Sequence, residues 1–354
     1  MEKTYNTIVL TSHRTTNSCS SFFIRGIVRA LAFLLPFSCN LLAGCSRNEG
    51  CSVEYVLPVS PYTNPVWYPD GSMLGFNHLP LQSLSKSSDG DCPAAYAYSY
   101  FTDSVGFWLV NRDGSHMRRL TNFELEDPSW SPDGKWIAFS YRDQICKAPF
   151  NGITFDTTKI FQLTNGPSSH FNPNWSISGD TIYFDSDEDD LNRPYRVYKM
   201  AADGSGQLNI GTSGPDSIYS REPYCTPDNQ ILHIRGDSFS THVFAMDANG
   251  DHVRQLTFNI SPHIYIKNPR CFGTKVYYED FGIWSANMDG SALQMIAPYS
   301  NYGFSIAKDG TIAYIKLDLS DNSTNSILDG THGVIWIMNP DGSNQRQLTF
   351  NHNF

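Results

Sequence analysis

The chain has 354 residues, room for one large domain or two ordinary ones, with 26 Gly, 20 Pro and 14% aromatic residues. No helical period of three to four residues runs through residues 64–350. Short β-type runs between turn residues do, which excludes a helical bundle and predicts an all-β fold. The net charge is −10; setting aside residues 1–44 removes four bases (Lys3, Arg14, Arg25, Arg29) and one acid (Glu2) and leaves −13. That balance argues against nucleic acid and anionic lipid as partners.

Residues 27–44, IVRALAFLLPFSCNLLAG, are the one strongly apolar stretch, broken by Arg29 and Pro36 and short for a membrane span. Arg25 and Arg29 near its start and small residues at its end lay it out as a secretory signal. Its end, Leu41-Leu42-Ala43-Gly44-Cys45, resembles a bacterial lipoprotein lipobox. The resemblance implies cleavage before Cys45, diacylglycerol on the Cys45 sulfur and acylation of the new amine. The expected division is a signal peptide (1–44), a lipidated N-terminal segment (45–63) and a repeat domain (64–354). The expected location is the outer membrane of a bacterial cell envelope, on its periplasmic or surface face.

Two recurring elements organise residues 64–350. The first begins at a proline: Pro65 (PVWYPDGSMLGF), Pro128 (PSWSPDGKWIAF), Pro173 (PNWSISGDTIYF), Pro223 (PYCTPDNQILHI) and Pro269 (PRCFGTKVYY), with a degenerate copy near Phe304. Successive prolines lie 63, 45, 50 and 46 residues apart. The second places an aromatic residue five positions before Asp/Asn-Gly and Leu or Ile seven positions after the Asp/Asn. Its copies are Trp108/Asp113-Gly114/Leu120, Tyr198/Asp203-Gly204/Ile210, Phe244/Asn249-Gly250/Leu256, Trp284/Asp289-Gly290/Ile296 and Trp336/Asp341-Gly342/Leu348. Thr follows the Leu at Thr121, Thr257 and Thr349. The second unit reads as strand, tight turn, strand, with Asp/Asn-Gly supplying the positive φ angles of a two-residue hairpin loop. Four strands per period and six periods predict a six-bladed β-propeller with four antiparallel strands per blade. Runs such as Trp136-Ile-Ala-Phe139 are apolar on both sides, as strands covered on both faces are.

The W-S-P-D-G, aromatic, D-G, L-T series resembles the WD40-like repeat of TolB-type propellers, over residues 64–350. TolB carries an extra α/β domain ahead of its ring, for which residues 46–63 are too few, so the resemblance carries the propeller alone. Peptidases with a similar ring carry a hydrolase domain after it, and none is expected here. Residues 52–57 (SVEYVL) read as a strand expected to lie along blade six and help close the ring.

Beyond residue 45 five cysteines remain. Cys225 and Cys271 stand where sister repeats have Trp67, Trp130 and Trp175, and Cys146 fills an aromatic slot five before Asn151-Gly152. They are expected to be buried thiols. Cys51 and Cys92 are expected on opposite faces of the ring, too far apart to bond, so no structural disulfide is expected. The run Asp185-Ser-Asp-Glu-Asp-Asp190 is expected to be a solvated loop, with Asp185, Asp187 and Asp189 as an alternative cation site lacking a complete ligand set. His170, His233, His242, His252 and His263 are expected in loops or at the rim.

No G-x-S-x-G elbow and no H-E-x-x-H pair occurs, so neither catalysis nor a cofactor is expected. Proline-turn and Asp-Gly loops share one face of the disc, and the longer connections share the other. The longest, 79–105, holds Tyr96, Tyr98, Tyr100 and Phe101, the expected surface for an envelope protein partner. The expected function is thus a non-catalytic binding or assembly scaffold. The alternative is a glycan-active enzyme or glycan binder with its site in the central funnel, which convergent carboxylates would favour.

Overall fold

The computed structural model describes residues 62–87, 95–188, 195–211, 219–236, 240–258, 266–298, 300, 303–316 and 333–349. They form six four-stranded antiparallel sheets. Blade one is Tyr62–Trp67, Met73–His78, Gly106–Asn111 and Arg118–Arg119, and blade two is Glu126–Trp130, Trp136–Tyr141, Gln144–Pro149 and Phe161–Gln162. Blade three is His170–Trp175, Thr181–Ser186, Arg196–Ala201 and Leu208–Asn209, and blade four is Tyr219–Cys225, Gln230–Gly236, Thr241–Asp247 and Arg254–Gln255. Blade five is Lys267–Phe272, Lys275–Glu279, Gly282–Asn287 and Gln294–Pro298, and blade six is Phe304–Ile306, Ile312–Lys316, Val334–Met338 and Arg346–Gln347. The first strand of each blade touches the first strand of the next, and that of blade six touches that of blade one, so the ring is closed. Trp108 and Trp336 occupy the equivalent third strands of blades one and six.

The Asp-Gly turns differ from a two-residue loop. Only the glycine has positive φ, as at Gly114 (+92°) and Gly250 (+89°), and the preceding Asp or Asn does not. Asn111 and Ser115 close a three-residue loop around a turn in which Gly114 N donates to Asn111 O (2.8 Å). This is a type I turn followed by a left-handed glycine. The aspartate contributes through its side chain instead. Asp113 Oδ1 accepts from Ser115 N, and Asp203, Asp289 and Asp341 accept likewise from the serine two positions on.

The Leu/Ile seven positions after each turn has a tertiary reason. Gly204, Gly250, Gly290 and Gly342 each lie against the carbonyl oxygen of the Leu or Ile of the preceding blade: Leu163, Ile210, Leu256 and Ile296. Gly114 of blade one lies against Leu348 of blade six in the same way. A Cβ on these glycines would meet that oxygen within 3.3 Å or less. The threonine that follows fixes its own blade: Thr121, Thr164, Thr257 and Thr349 Oγ1 accept from Phe107, Ile145, Val243 and Ile335 N, at the start of the third strands.

The junction of blades six and one is sealed by Tyr62, Trp67, Leu74, Phe76, Ile315, Ile335 and Leu348 in one apolar cluster. Trp67 N donates to Ser305 Oγ (3.2 Å), and Arg346 Nη2 donates to Arg112 O (2.7 Å) across it. Blade six has four strands of its own; residues 52–57 lie outside the described residues. Cys146, Cys225 and Cys271 are free and buried, as their slots predict. Burial raises all three thiols, Cys146 to about 11 and Cys271 to about 12. Cys51 and Cys92 lie outside the described residues.

Two histidines depart from the rim expectation. His170 and His233 are 1% and 2% exposed. His233 takes the second-strand slot that holds Phe76, Phe139, Phe184, Tyr278 and Tyr314 elsewhere, and its Nδ1 pairs with Ser220 Oγ (2.7 Å). A neutral imidazole is an adequate aromatic substitute there, and burial pushes its pKa down to about 3, and that of His170 to about 4. His242 is half-buried and His252 exposed; His263 lies outside the described residues.

Candidate functional site

The connection in blade one folds into a two-stranded hairpin, Leu81–Ser87 with Ala95–Tyr100, that forms no part of the blade's sheet. Tyr96, Tyr98 and Tyr100 occupy alternate positions of its second strand, opposite Lys86, Leu84 and Leu81. Phe101 follows; its backbone N donates to Pro80 O (3.0 Å) and its carbonyl accepts from Ser104 N, which closes the hairpin's base onto the blade. Residues 88–94 and Cys45 lie outside the described residues.

The central channel carries features that sequence reasoning missed. In the first strands, Asn64, Asp127, Asn172, Glu222 and Asn268 have positive φ, between +51° and +60°, and the β-ladder shifts register at each. Gly303 (+100°) is their counterpart in blade six. The five polar residues sit at bulges; Asp127 and Glu222 reach the next blade, whereas Asn172 and Asn268 donate to Asp185 and Glu279 of their own blades. A signal was present: in five anchors the residue before the proline is Asn, Asp or Glu.

Four carboxylates from four blades converge there. Asp127 Oδ2 accepts from Asn172 N (3.3 Å), and Asp185 Oδ1 accepts from Glu222 N (2.7 Å). Glu222 Oε2 accepts from Asn268 N, and Glu279 Oε1 accepts from Gly303 N (3.1 Å) and Ser300 Oγ (3.0 Å). Asn77 does the same for the first junction, with Oδ1 accepting from Leu125 N and Nδ2 donating to Leu125 O. A carboxylate or amide thus receives the amide proton of the next blade at five junctions. Asp185 and Glu279 are fully buried.

The acidic run is therefore not simply a solvated loop. Asp185 and Ser186 end a strand, and Asp187, 7% exposed, accepts from Ser169 N (2.7 Å) through Oδ1. Alternation turns both aspartates inward, where backbone amides satisfy them. Asp189 lies outside the described residues. Among the described residues no three His, Cys, Asp or Glu side chains gather as a metal site requires.

Two guanidiniums stand among these acids. Arg221 Nε lies 3.6 Å from Asp185 Oδ2, with its guanidinium over the Tyr195 ring. Burial pulls the Arg221 pKa down, but Asp185 and Glu222 carry it above the ordinary value. Arg270 stacks on Tyr224 at 5.1 Å, and burial lowers its pKa against the opposing pull of Tyr224, Glu222, Glu279 and Asp127. Asp127 belongs to blade two and Arg270 to blade five, so the guanidinium reaches into the channel. The chemistry is that of a hydrogen-bonded hub in which two guanidiniums offset part of the charge of four carboxylates.

The fold has counterparts among solved structures. TolB from Acinetobacter baumannii matches with a TM-score of 0.50 at 16% identity, over 68% of this chain and 58% of that one. The match thus spans less than two thirds of that protein. A putative TolB from Agrobacterium tumefaciens matches with a TM-score of 0.43 at 17% identity, over 81% of this chain and 80% of that one. An oligogalacturonate lyase in complex with manganese matches with a TM-score of 0.46 at 11% identity, over 77% of this chain and 86% of that one. No protein-family model and no curated protein matches the chain. At these identities the likeness is one of fold, and the chain is a six-bladed β-propeller similar in architecture to TolB.

Proposed function

We propose that this propeller is an exported, lipid-anchored protein of the bacterial cell envelope that binds a partner protein and catalyses no reaction. The observation that carries the reading is the hairpin of blade one. It stands as a sheet of its own with Tyr96, Tyr98 and Tyr100 on alternate positions. A lone two-stranded ribbon is marginal in water, and tyrosine is favoured at interfaces because it offers large amphipathic area with few rotors. The architectural likeness to TolB supports the same reading. The test is affinity capture from solubilised envelopes with the natural chain and with Tyr96→Ser/Tyr98→Ser/Tyr100→Ser. The expected result is one co-purifying protein lost with the triple variant; an unchanged set of captured proteins sinks the proposal.

The anchor rests on residues 41–45, LLAGC. Cells expressing Cys45→Ala are expected to lose all palmitate labelling of this chain and to accumulate the uncleaved precursor. Labelling at the natural level would overturn the assignment.

One observation favours the alternative of a glycan-active or glycan-binding funnel: Asp127, Asp185, Glu222 and Glu279 do converge on the channel. Each accepts from a backbone amide of the next blade, a role that holds the ring together and leaves fewer lone pairs for a substrate.

A further inference from the structure

Blade five departs from its sisters at the outer strand. In the other blades the residue before the recurring Leu or Ile has a polar side chain that bonds the backbone two positions on. Arg119, Gln162, Gln255 and Gln347 donate to the carbonyls of Thr121, Thr164, Thr257 and Thr349, and Asn209 Oδ1 accepts from Gly211 N. A side chain tied to the backbone two residues on draws the chain out of the sheet, and each of those five outer strands is two residues long. Blade five has Met295 in the polar slot and Ala297 in the threonine slot, and neither side chain can donate a hydrogen bond. Its outer strand runs on for five residues, Gln294–Pro298, pairing Ala297 with Ile283 and Pro298 with Gly282.

The edge so formed is apolar and uncharged. Leu293 precedes the strand and Met295 lies within it. Phe281 precedes Gly282, the partner of Pro298, and the Phe258 ring of blade four packs on Gly290 at the hairpin's other end. These four side chains are between 43% and 61% exposed. No Asp, Glu, Lys or Arg occurs from Gly290 to Ala307. Folded chains blunt sheet edges with short strands and with charge. The other outer strands are short, and those of blades one, four and six carry Arg118, Arg254 and Arg346. Among the described residues no strand pairs with the outer side of Gln294–Pro298.

We propose that this edge joins two copies of the chain around a two-fold axis, with their Gln294–Pro298 strands antiparallel. In a two-fold contact a surface faces its own copy. An uncharged edge meets itself without repulsion, whereas the same contact at blade one, four or six would set an arginine against its twin. The lack of charge also leaves nothing at this edge to draw in an acidic or basic partner. Backbone hydrogen bonds and the apolar side chains along the strand supply the attraction. Five residues a side make a small interface, so the dimer is expected to form at roughly micromolar concentration. Each copy is acidic, and salt that screens their mutual repulsion is expected to strengthen the pair. The contact is separate from the tyrosine hairpin of blade one and goes beyond the partner-binding reading.

The experiment is sedimentation velocity of the purified full chain in density-matched detergent, from about 0.5 to about 50 μM. A dimer that grows with concentration is expected, in larger fraction at about 0.5 M salt than at about 0.05 M. Met295→Arg and Leu293→Gln install the residues that Arg119 of blade one and Gln345 of blade six place in the same slots. Both are expected to keep the natural Tm and to weaken the dimer, Met295→Arg roughly tenfold or more. Leu208→Arg, on the outer strand of blade three, changes a side chain that is 54% exposed and is expected to dimerise as the natural chain does. A natural chain that stays monomeric, a dimer that salt dissolves, a dimer of natural strength in both Met295→Arg and Leu293→Gln, or an equal loss in Leu208→Arg would each overturn the proposal.

Discussion

Gly250→Ala is expected to lower the stability of the ring by about 3–5 kcal/mol, whereas Gly152→Ala lowers it by about 1–2 kcal/mol. Both glycines sit at nearly the same left-handed φ, +89° and +91°, so an alanine meets the same backbone penalty at each. They differ in what surrounds them. A Cβ at Gly250 runs into the Ile210 carbonyl oxygen of blade three and crowds its Cβ at 3.1 Å, and one at Gly152 meets open space. Relief at Gly250 requires blade four to move off blade three, and the cost is that of overpacking plus a lost blade contact. Urea unfolding midpoints with unchanged slope measure the difference. Equal losses at the two sites would show that the glycines serve the turn alone and not the blade junction.

The fold is also expected to weaken in mild acid through His170 and His233. In the unfolded chain both imidazoles take up protons as the pH falls through about 6.5. In the folded chain they stay neutral, His170 down to about 4 and His233 down to about 3, because burial penalises the charged ring. Between these limits the unfolded state binds more protons, so stability is complete above pH 6.5 and declines as pH falls to 4 and then 3. At pH 4.5 the loss is about 2–3 kcal/mol per histidine, some 5 kcal/mol together, a large part of a typical domain's total.

His233→Phe restores the residue that sister blades carry in this slot. It is expected to cost about 1 kcal/mol at pH 7.5, through the partner lost by Ser220, and to recover about half of the acid loss at pH 4.5. Thermal midpoints of the two proteins across pH 4.5–7.5 should therefore converge or cross. Parallel curves would show that His233 does not carry its share.

Much of the fold and part of the candidate site are legible in the chain itself. Hairpin turns are local chemistry. Asp113-Gly114-Ser115 closes its loop with its own glycine angle and its own aspartate, so the repeat spacing reports strand number and blade number directly. Cys146, Cys225 and Cys271 occupy slots defined by register within a blade, and register is likewise local. The alternate placement of Tyr96, Tyr98 and Tyr100 follows from the period of a strand.

What lies between blades was decided by the tertiary structure, because the partner comes from another repeat. Gly114 faces Leu348, 234 residues away in sequence, and no local pattern names that contact. Asp185 belongs to an acidic run that reads as surface, yet Glu222 N and Arg221 from blade four draw it inside. His170 and His233 look polar in sequence, but their slots are set by the aromatic core on either side of the sheet. Gly152 has open space where its sister glycines meet a carbonyl, and Arg118 of blade one reaches its turn instead, a difference visible only between blades. Sequence by itself determined the repeating unit and the number of blades, since those depend on turns and strand periodicity within some forty to sixty residues. The ring's closure and its buried charges depend on which surfaces six such units present to one another.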